Sequence, residues 1–145
     1  MSEVIYMDTS ALAKWYLNET RSEDVEKYIQ AHGPLSISTL TVVEMRSLLF
    51  RRRRGKDITS RIEMQVMAAF EEDTRHGFLI RHPISDGTVA SAVNLIPMVG
   101  NVALKTLDSL HLAVARDIGA SILATADRVM AQAGSALGLT VESFW

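Results

Sequence analysis

The sequence predicts an α/β domain of three layers, in which a central parallel sheet is flanked by helices on both faces. Three observations carry that reading. Short apolar runs of strand length alternate with longer stretches of helical periodicity along the whole chain. The first run, Val4-Ile5-Tyr6-Met7, is apolar throughout, as a buried strand is. Glycine and proline breaks at Gly33-Pro34, Gly55, Pro97 and Gly100 fall between the periodic segments.

In order, the strand at 4–7 is followed by helices over about 11–17 and 22–31. A second strand at 35–38 leads into a helix over about 42–54, which Gly55 stops as a C-terminal glycine. A helix over about 59–74 and a third strand at 78–80 come next, then a helix over about 85–96. A helix over about 107–118, a strand at 121–124, a helix over 128–137 and a last strand near Thr140-Val141 complete the chain. Alternation of this kind implies about four or five parallel strands joined by right-handed crossovers. In such open sheets the functional site lies beyond the carboxyl ends of the strands.

At 145 residues the chain fits one compact domain, and its 48% apolar and 22% charged content suits a globular protein rather than a disordered one. A net charge of −2 gives no global attraction to a polyanion, so any nucleic-acid contact must come from a local basic patch. There is no cysteine, which excludes disulfides and thiolate metal sites and fits a reducing cytoplasm. Met1-Ser2-Glu3 carries an acid where a signal peptide carries basic residues, and no apolar run is long enough for a membrane span. No repeat or low-complexity tract is visible.

Four acids fall where the topology rule directs attention. Asp8 follows the first strand, Glu44 and Asp108 lie in the first turns of their helices, and Asp127 follows the fourth strand. Each has a local explanation. Asp8 or Ser10 can cap the first helix and Asp127 the last long one. Thr41-Val42-Val43-Glu44 reads as a capping box, and Asp108 suits the positive end of a helix dipole. Against caps alone, Asp108 interrupts an apolar stripe of Leu104, Leu112 and Ala115, where an unpaired charge is costly. Four convergent carboxylates would also repel one another unless protonated or neutralised by a cation. Hard oxygen ligands of this kind suit Mg²⁺ or Mn²⁺.

The segments that carry these acids are Tyr6-Met7-Asp8-Thr9-Ser10-Ala11-Leu12, Thr41-Val42-Val43-Glu44-Met45, the run from Leu107-Asp108-Ser109 through His111 to Ala115, and Leu123-Ala124-Thr125-Ala126-Asp127. With the late Gly138-Leu139-Thr140-Val141, in this order, they resemble a PIN domain, and within that family the VapC-type toxins of bacterial and archaeal toxin–antitoxin pairs. Residues 59–101 add little to the likeness. The resemblance spans 1–145 as one domain and places an acidic site on Asp8, Glu44, Asp108 and Asp127. Asp8 and Asp108 would be the main metal ligands, with Glu44 and Asp127 completing the site directly or through water. Ser10 and Thr125 correspond to hydroxyls that orient ligands or water. The implied activity is that of an Mg²⁺- or Mn²⁺-dependent endoribonuclease, a toxin held by a small antitoxin and forming a homodimer.

Arg51-Arg52-Arg53-Arg54, with Arg46 and Lys56, is the one dense basic cluster; it reads either as a solvated helix end or as a phosphate-steering patch. Arg46, nearer the helix start, is the better placed of these to work beside Glu44. His111 reads as a satisfied structural histidine, and His32, His76 and His82 form no pattern with it. Met64, Val66, Met67 and Phe70 read as core or as a self-contact, and Trp15-Tyr16 and Phe144-Trp145 as packing rather than base-stacking platforms. Two other functions stay open: aspartyl-phosphate phosphotransfer at Asp8, for which Ser10 stands where a second Asp is wanted, and a non-catalytic RNA-binding module whose acids are only caps.

Overall fold

The computed structural model describes residues 3–145, so the Met1-Ser2 part of the N-terminal reading lies outside the described residues. Five short strands, β1 (Ile5–Met7), β2 (Leu35–Ser38), β3 (Leu79–His82), β4 (Ile122–Thr125) and β5 (Thr140–Ser143), form one sheet in the order β3-β2-β1-β4-β5. Every neighbouring pair is parallel. The helices are α1 (Thr9–Tyr16), α2 (Ser22–His32), α3 (Thr39–Arg54), α4 (Ser60–Arg75), α5 (Asp86–Leu95), α6 (Thr106–Asp117) and α7 (Arg128–Ala136). A 3₁₀ turn over Ile96–Val99 follows α5 and takes up Pro97.

The strand period of two divides the core into two layers. Ile5 and Met7 of β1, with Ile122 and Ala124 of β4, pack under α1, α2, α3 and α4. Tyr6 and Leu123, one residue out of phase, face the other way into α5, α6 and α7. The sheet is thus covered on both faces, which is why its central strands read as unbroken apolar runs. One approach is especially close: a Cβ on Gly134 of α7 would lie 2.6 Å from Leu123 Cδ2, so the missing side chain lets α7 seat on β4.

Successive connections run outward from β1 to β2 and β3, then return to place β4 on the other side of β1. The helix after β1 lies on one face and the helix after β4 on the other. The chain therefore diverges between the carboxyl ends of β1 and β4, the switch point at which open sheets leave a crevice. Asp8 and Asp127 stand at its two sides.

Three local expectations need correction. Helix α3 starts at Thr39, not near residue 42, because Ser38 ends β2 and serves as the N-cap, with Thr41 Oγ1 accepting from the Ser38 N–H at 3.1 Å. Thr41 and Glu44 are therefore no capping box; Glu44 lies in the second turn. Gly55 does follow α3, but with φ −76, and the left-handed residue is Lys56 at φ 65. Finally, Val66, Met67 and Phe70 are buried between α4 and the sheet, leaving Met64, 68% exposed, too little for a self-contact on that face.

Candidate functional site

Asp8 is the N-cap of α1, and its position is fixed by three donors. Oδ1 accepts from the Ala11 N–H at 3.1 Å and from Ser10 Oγ at 2.7 Å, and Oδ2 accepts from Thr125 Oγ1 at 2.5 Å. Ser10 Oγ also accepts from the Ala126 N–H at 2.9 Å, so the end of β4 is tied to the start of α1. Burial, at 4% exposure, raises the Asp8 carboxyl above its ordinary value, and Ser10, Thr125, His111 and the Ala11 N–H offset that only in part. Both hydroxyls singled out in the sequence, Ser10 and Thr125, thus act on Asp8.

Asp127 is the N-cap of α7: Oδ1 accepts from the N–H groups of Val129 and Met130 at 2.8 and 3.0 Å. Its other oxygen accepts no hydrogen bond among the described residues. Asp108 lies in the first turn of α6, and neither of its oxygens accepts one there either. Burial, then the charges of Asp127, Asp8 and Glu44, push its carboxyl up to about 6. Of the apolar stripe inferred beside it, Leu112 and Ala115 of α6 are fully buried, whereas Leu104 lies before the helix and is half-buried.

Glu44 is held from two sides. Thr9 Oγ1 donates to Oε1 at 2.7 Å, and His111 Nε2 makes a very short contact with the same oxygen. Burial lifts the Glu44 carboxyl, but the hydrogen bond and field of His111, with Thr9, outweigh it and leave the group below its ordinary value. On the far side of the ring, His111 Nδ1 lies 2.6 Å from the Tyr6 hydroxyl, which is 3.1 Å from Ser38 Oγ. Tyr6 can donate to only one of these at a time, and burial raises it far enough that it keeps its proton. His111 is the satisfied buried histidine that its helix suggested, but the group it satisfies is one of the four acids. Thr9, Tyr6 and Ser38 were missed. The available signal was a tyrosine inside a buried strand, whose hydroxyl must find a partner.

Asp8, Glu44, Asp108 and Asp127 line one cleft of about 310 Å³, whose walls also include Thr9, Ser10, Ser47, Leu48, His111 and Arg51. The structure divides the basic cluster. Arg51, not Arg46, shares the cleft with Glu44, because residues three, four and seven positions on from Glu44 share its helix face and Arg46 does not. Arg52 Nη2 pairs with Glu19 at 2.7 Å and Arg53 Nε with Glu63 at 2.8 Å, so both are turned into intramolecular contacts. Lys56 is exposed past the end of α3. Tyr16, packed on Phe70, and Phe144, packed on Tyr28, belong to the core, while Trp145 lies half-exposed under the Arg128 guanidinium at 4.7 Å.

The donor set is all hard oxygen plus one engaged imidazole, the chemistry that suits Mg²⁺ or Mn²⁺. Among the described residues no three His, Asp or Glu side chains are placed to hold a metal ion between them. That spacing is compatible with Mg²⁺, which commonly takes one or two carboxylates and fills its sphere with water and phosphate oxygens. No helix among the described residues is long and apolar enough to cross a membrane.

Comparison with known proteins agrees with this architecture. The family model described as the PIN domain matches residues 5–135. Ribonuclease VapC46 of Mycobacterium tuberculosis is 29% identical over 140 residues, covering 94% of this chain and 95% of that protein. Among solved structures, the M. tuberculosis VapC20 toxin, described as cleaving the Sarcin-Ricin loop, aligns with TM-score 0.70 at 20% identity over 90% of this chain and 95% of its own. VapBC2 from Rickettsia felis, bound to a DNA fragment from its promoter, aligns with TM-score 0.69 at 13% identity over 98% of this chain and 100% of its own. With a family model matched from β1 to α7, the chain belongs to the PIN-domain family, and its relatives in sequence and fold are VapC-type toxins.

Proposed function

We propose that the protein is a divalent-metal-dependent endoribonuclease and the toxin of a toxin–antitoxin pair. The observation that carries this reading is that four carboxylates from four separate elements line one cleft at the switch point of the sheet. Capping explains Asp8 and Asp127, but it explains neither Glu44, whose helix is capped by Ser38, nor Asp108, which accepts no hydrogen bond among the described residues and whose carboxyl is raised by burial and the neighbouring acids. Phosphotransfer at Asp8 wants a second acid two residues on, and the residue there is Ser10, whose hydroxyl donates to Asp8.

Hydrolysis adds water across a P–O bond, leaving a phosphate on one RNA fragment and a hydroxyl on the other. Mg²⁺ or Mn²⁺, held by Asp8 and Asp108 with Glu44 and Asp127 completing the site through water, would supply Lewis acidity and lower the pKa of water. The chain's own part is to fix the charges. Ser10, Thr125 and the Ala11 N–H hold Asp8, and Thr9 and His111 hold Glu44 ionised with Oε2 left free of donors. No Ser, Cys or His nucleophile is required.

The relatives' VapBC assemblies support a small antitoxin as partner, and its Arg or Lys side chains would complement the acids. For a homodimer, the exposed apolar stripe of Val89 and Val93 on α5, continued by Ile96 and Met98, is a better self-contact than the face of α4. The test is cleavage of end-labelled RNA by the purified protein. We expect cleavage with Mn²⁺ or Mg²⁺, none with EDTA, and none from Asp8→Asn, since Asn caps a helix as well as Asp but lacks the charge. Cleavage that persists in EDTA or in Asp8→Asn refutes the reading.

A further inference from the structure

Helix α3 carries a second functional surface beside the cleft. Val43, Arg46, Ser47, Phe50, Arg51 and Arg54 line a depression of about 550 Å³. Their spacing places them along one side of the helix, over about 16 Å of its length. Ser47 and Arg51 belong to both surfaces, so the depression adjoins the acidic cleft. Of the arginines in the basic cluster, Arg46, Arg51 and Arg54 make no ion pair among the described residues, whereas Arg52 and Arg53 do. In the middle stands Phe50, an aromatic ring 42% exposed on a helix whose apolar side is already buried through Met45 and Leu49. Arg53, anchored by Glu63, lies 4.7 Å from its centroid, while Arg54 reaches it only at 6.0 Å.

We propose that this side of α3 is a docking track for single-stranded RNA, with one base stacked on Phe50 and flanking phosphates on Arg46, Arg51 and Arg54, leading the strand into the acidic cleft. The inference deepens the endoribonuclease reading and rests on it for the direction of the track. Four carboxylates repel a polyanion, and the net charge of −2 gives no compensating pull, so the cations that bring RNA to the acids must be close to them. Arg51 on the cleft wall meets that requirement. A free cationic row beside an exposed ring is the combination with which proteins hold single strands, through backbone charge and a ring on which any base can stack. A duplex, with its bases already stacked, gives the ring nothing to hold.

The test reads binding apart from cleavage. Fluorescence polarisation of a fluorescein-labelled, mixed-sequence, single-stranded 12-nucleotide RNA is followed in EDTA with the full-length protein. Phe50→Leu, which keeps apolar bulk, should weaken binding about 10-fold, and Arg54→Gln should weaken it and lower the salt slope by about 0.7. Arg52→Gln should leave both unchanged, and a duplex of the same sequence should be insensitive to Phe50→Leu. Circular dichroism melts check that each variant folds. Absence of RNA binding by the wild type, or binding by Phe50→Leu and Arg54→Gln equal to wild type, overturns the track and leaves the face to a protein partner. Binding that follows the pattern without cleavage in Mn²⁺ upholds the track and refutes the nuclease instead.

Discussion

Replacing Asp108 by Asn should stabilise the metal-free protein, and only at neutral pH. Asp108 has no hydrogen bond to lose among the described residues, and its carboxyl stands at about 6 instead of 3.8 because of burial and the charges of Asp127, Asp8 and Glu44. A group that holds its proton more tightly when folded removes stability once it must ionise. The cost is absent below about 3.8, grows from there to about 6 and is constant above. At full burial that difference corresponds to about 3 kcal/mol. Asp108 is only half-buried, so solvent screening leaves about 1.5 kcal/mol. Loss of a favourable charge at the α6 N-terminus returns roughly 0.5 kcal/mol of this. The net gain of about 1 kcal/mol should raise Tm by roughly 3 °C. Thermal melts in EDTA should show this at pH 7.5 and lose most of it at pH 4. In an Asp127→Asn background, which keeps the α7 cap, the gain should shrink, because Asp127 is the largest of the repelling charges. An Asp108→Asn protein no more stable than wild type at pH 7.5, or equally stabilised at pH 4, would refute the claim that charge crowding sets the state of this carboxyl.

Two further outcomes follow from the geometry. Glu44→Gln keeps an oxygen for Thr9 and His111 and should alter stability by less than about 1 kcal/mol, while RNA cleavage falls by roughly 10² or more. Glu44→Ala strands the His111 Nε2 donor in the interior and should cost about 1–3 kcal/mol as well as activity, so melts and cleavage assays on the pair separate charge from packing. Gly134→Ala forces a methyl group against the buried Leu123 side chain and should lower stability by about 1 kcal/mol despite alanine's better helix propensity. An unchanged Tm for that variant would mean that α7 does not depend on the close approach.

The layered sheet was legible because its central strands are covered on both faces and so appear as bare apolar runs; β2 has the boundaries the sequence suggests, Leu35–Ser38. β3 is displaced because it is an edge strand containing Arg81 and His82, and Phe78, its most apolar neighbour, lies outside and exposed. The start of α3 was misplaced because Ser38 both ends a strand and caps a helix, so two acceptable caps compete within four residues. The four acids could be gathered in advance, since Asp8 and Asp127 follow strands, Asp108 opens a helix, and Glu44, though a turn further in than expected, still faces the same edge. What holds them could not. The contact of His111 with Glu44 joins residues 67 apart, and that of Thr9 with Glu44 joins residues 35 apart. Pattern along a chain reports the face a side chain turns to, not the partner it meets there.

The pairing of β1 with β4 has a consequence for the making of the protein. Asp8 receives its hydrogen bond from Thr125, 117 residues further on, and β1 has only β2 beside it until β4 is added. A chain synthesised from its N-terminus therefore carries Asp8 early but cannot lock it, and gains Asp127 only after β4 has been made. Contacts of such sequence separation also form slowly, because the intervening chain must first be closed into a loop. Nascent fragments are thus incomplete in two ways at once, lacking an acid and the donor that orients another. The cleft cannot exist before β4 and the start of α7 have been made, and a ribosome short of that point is not yet in the presence of a finished site.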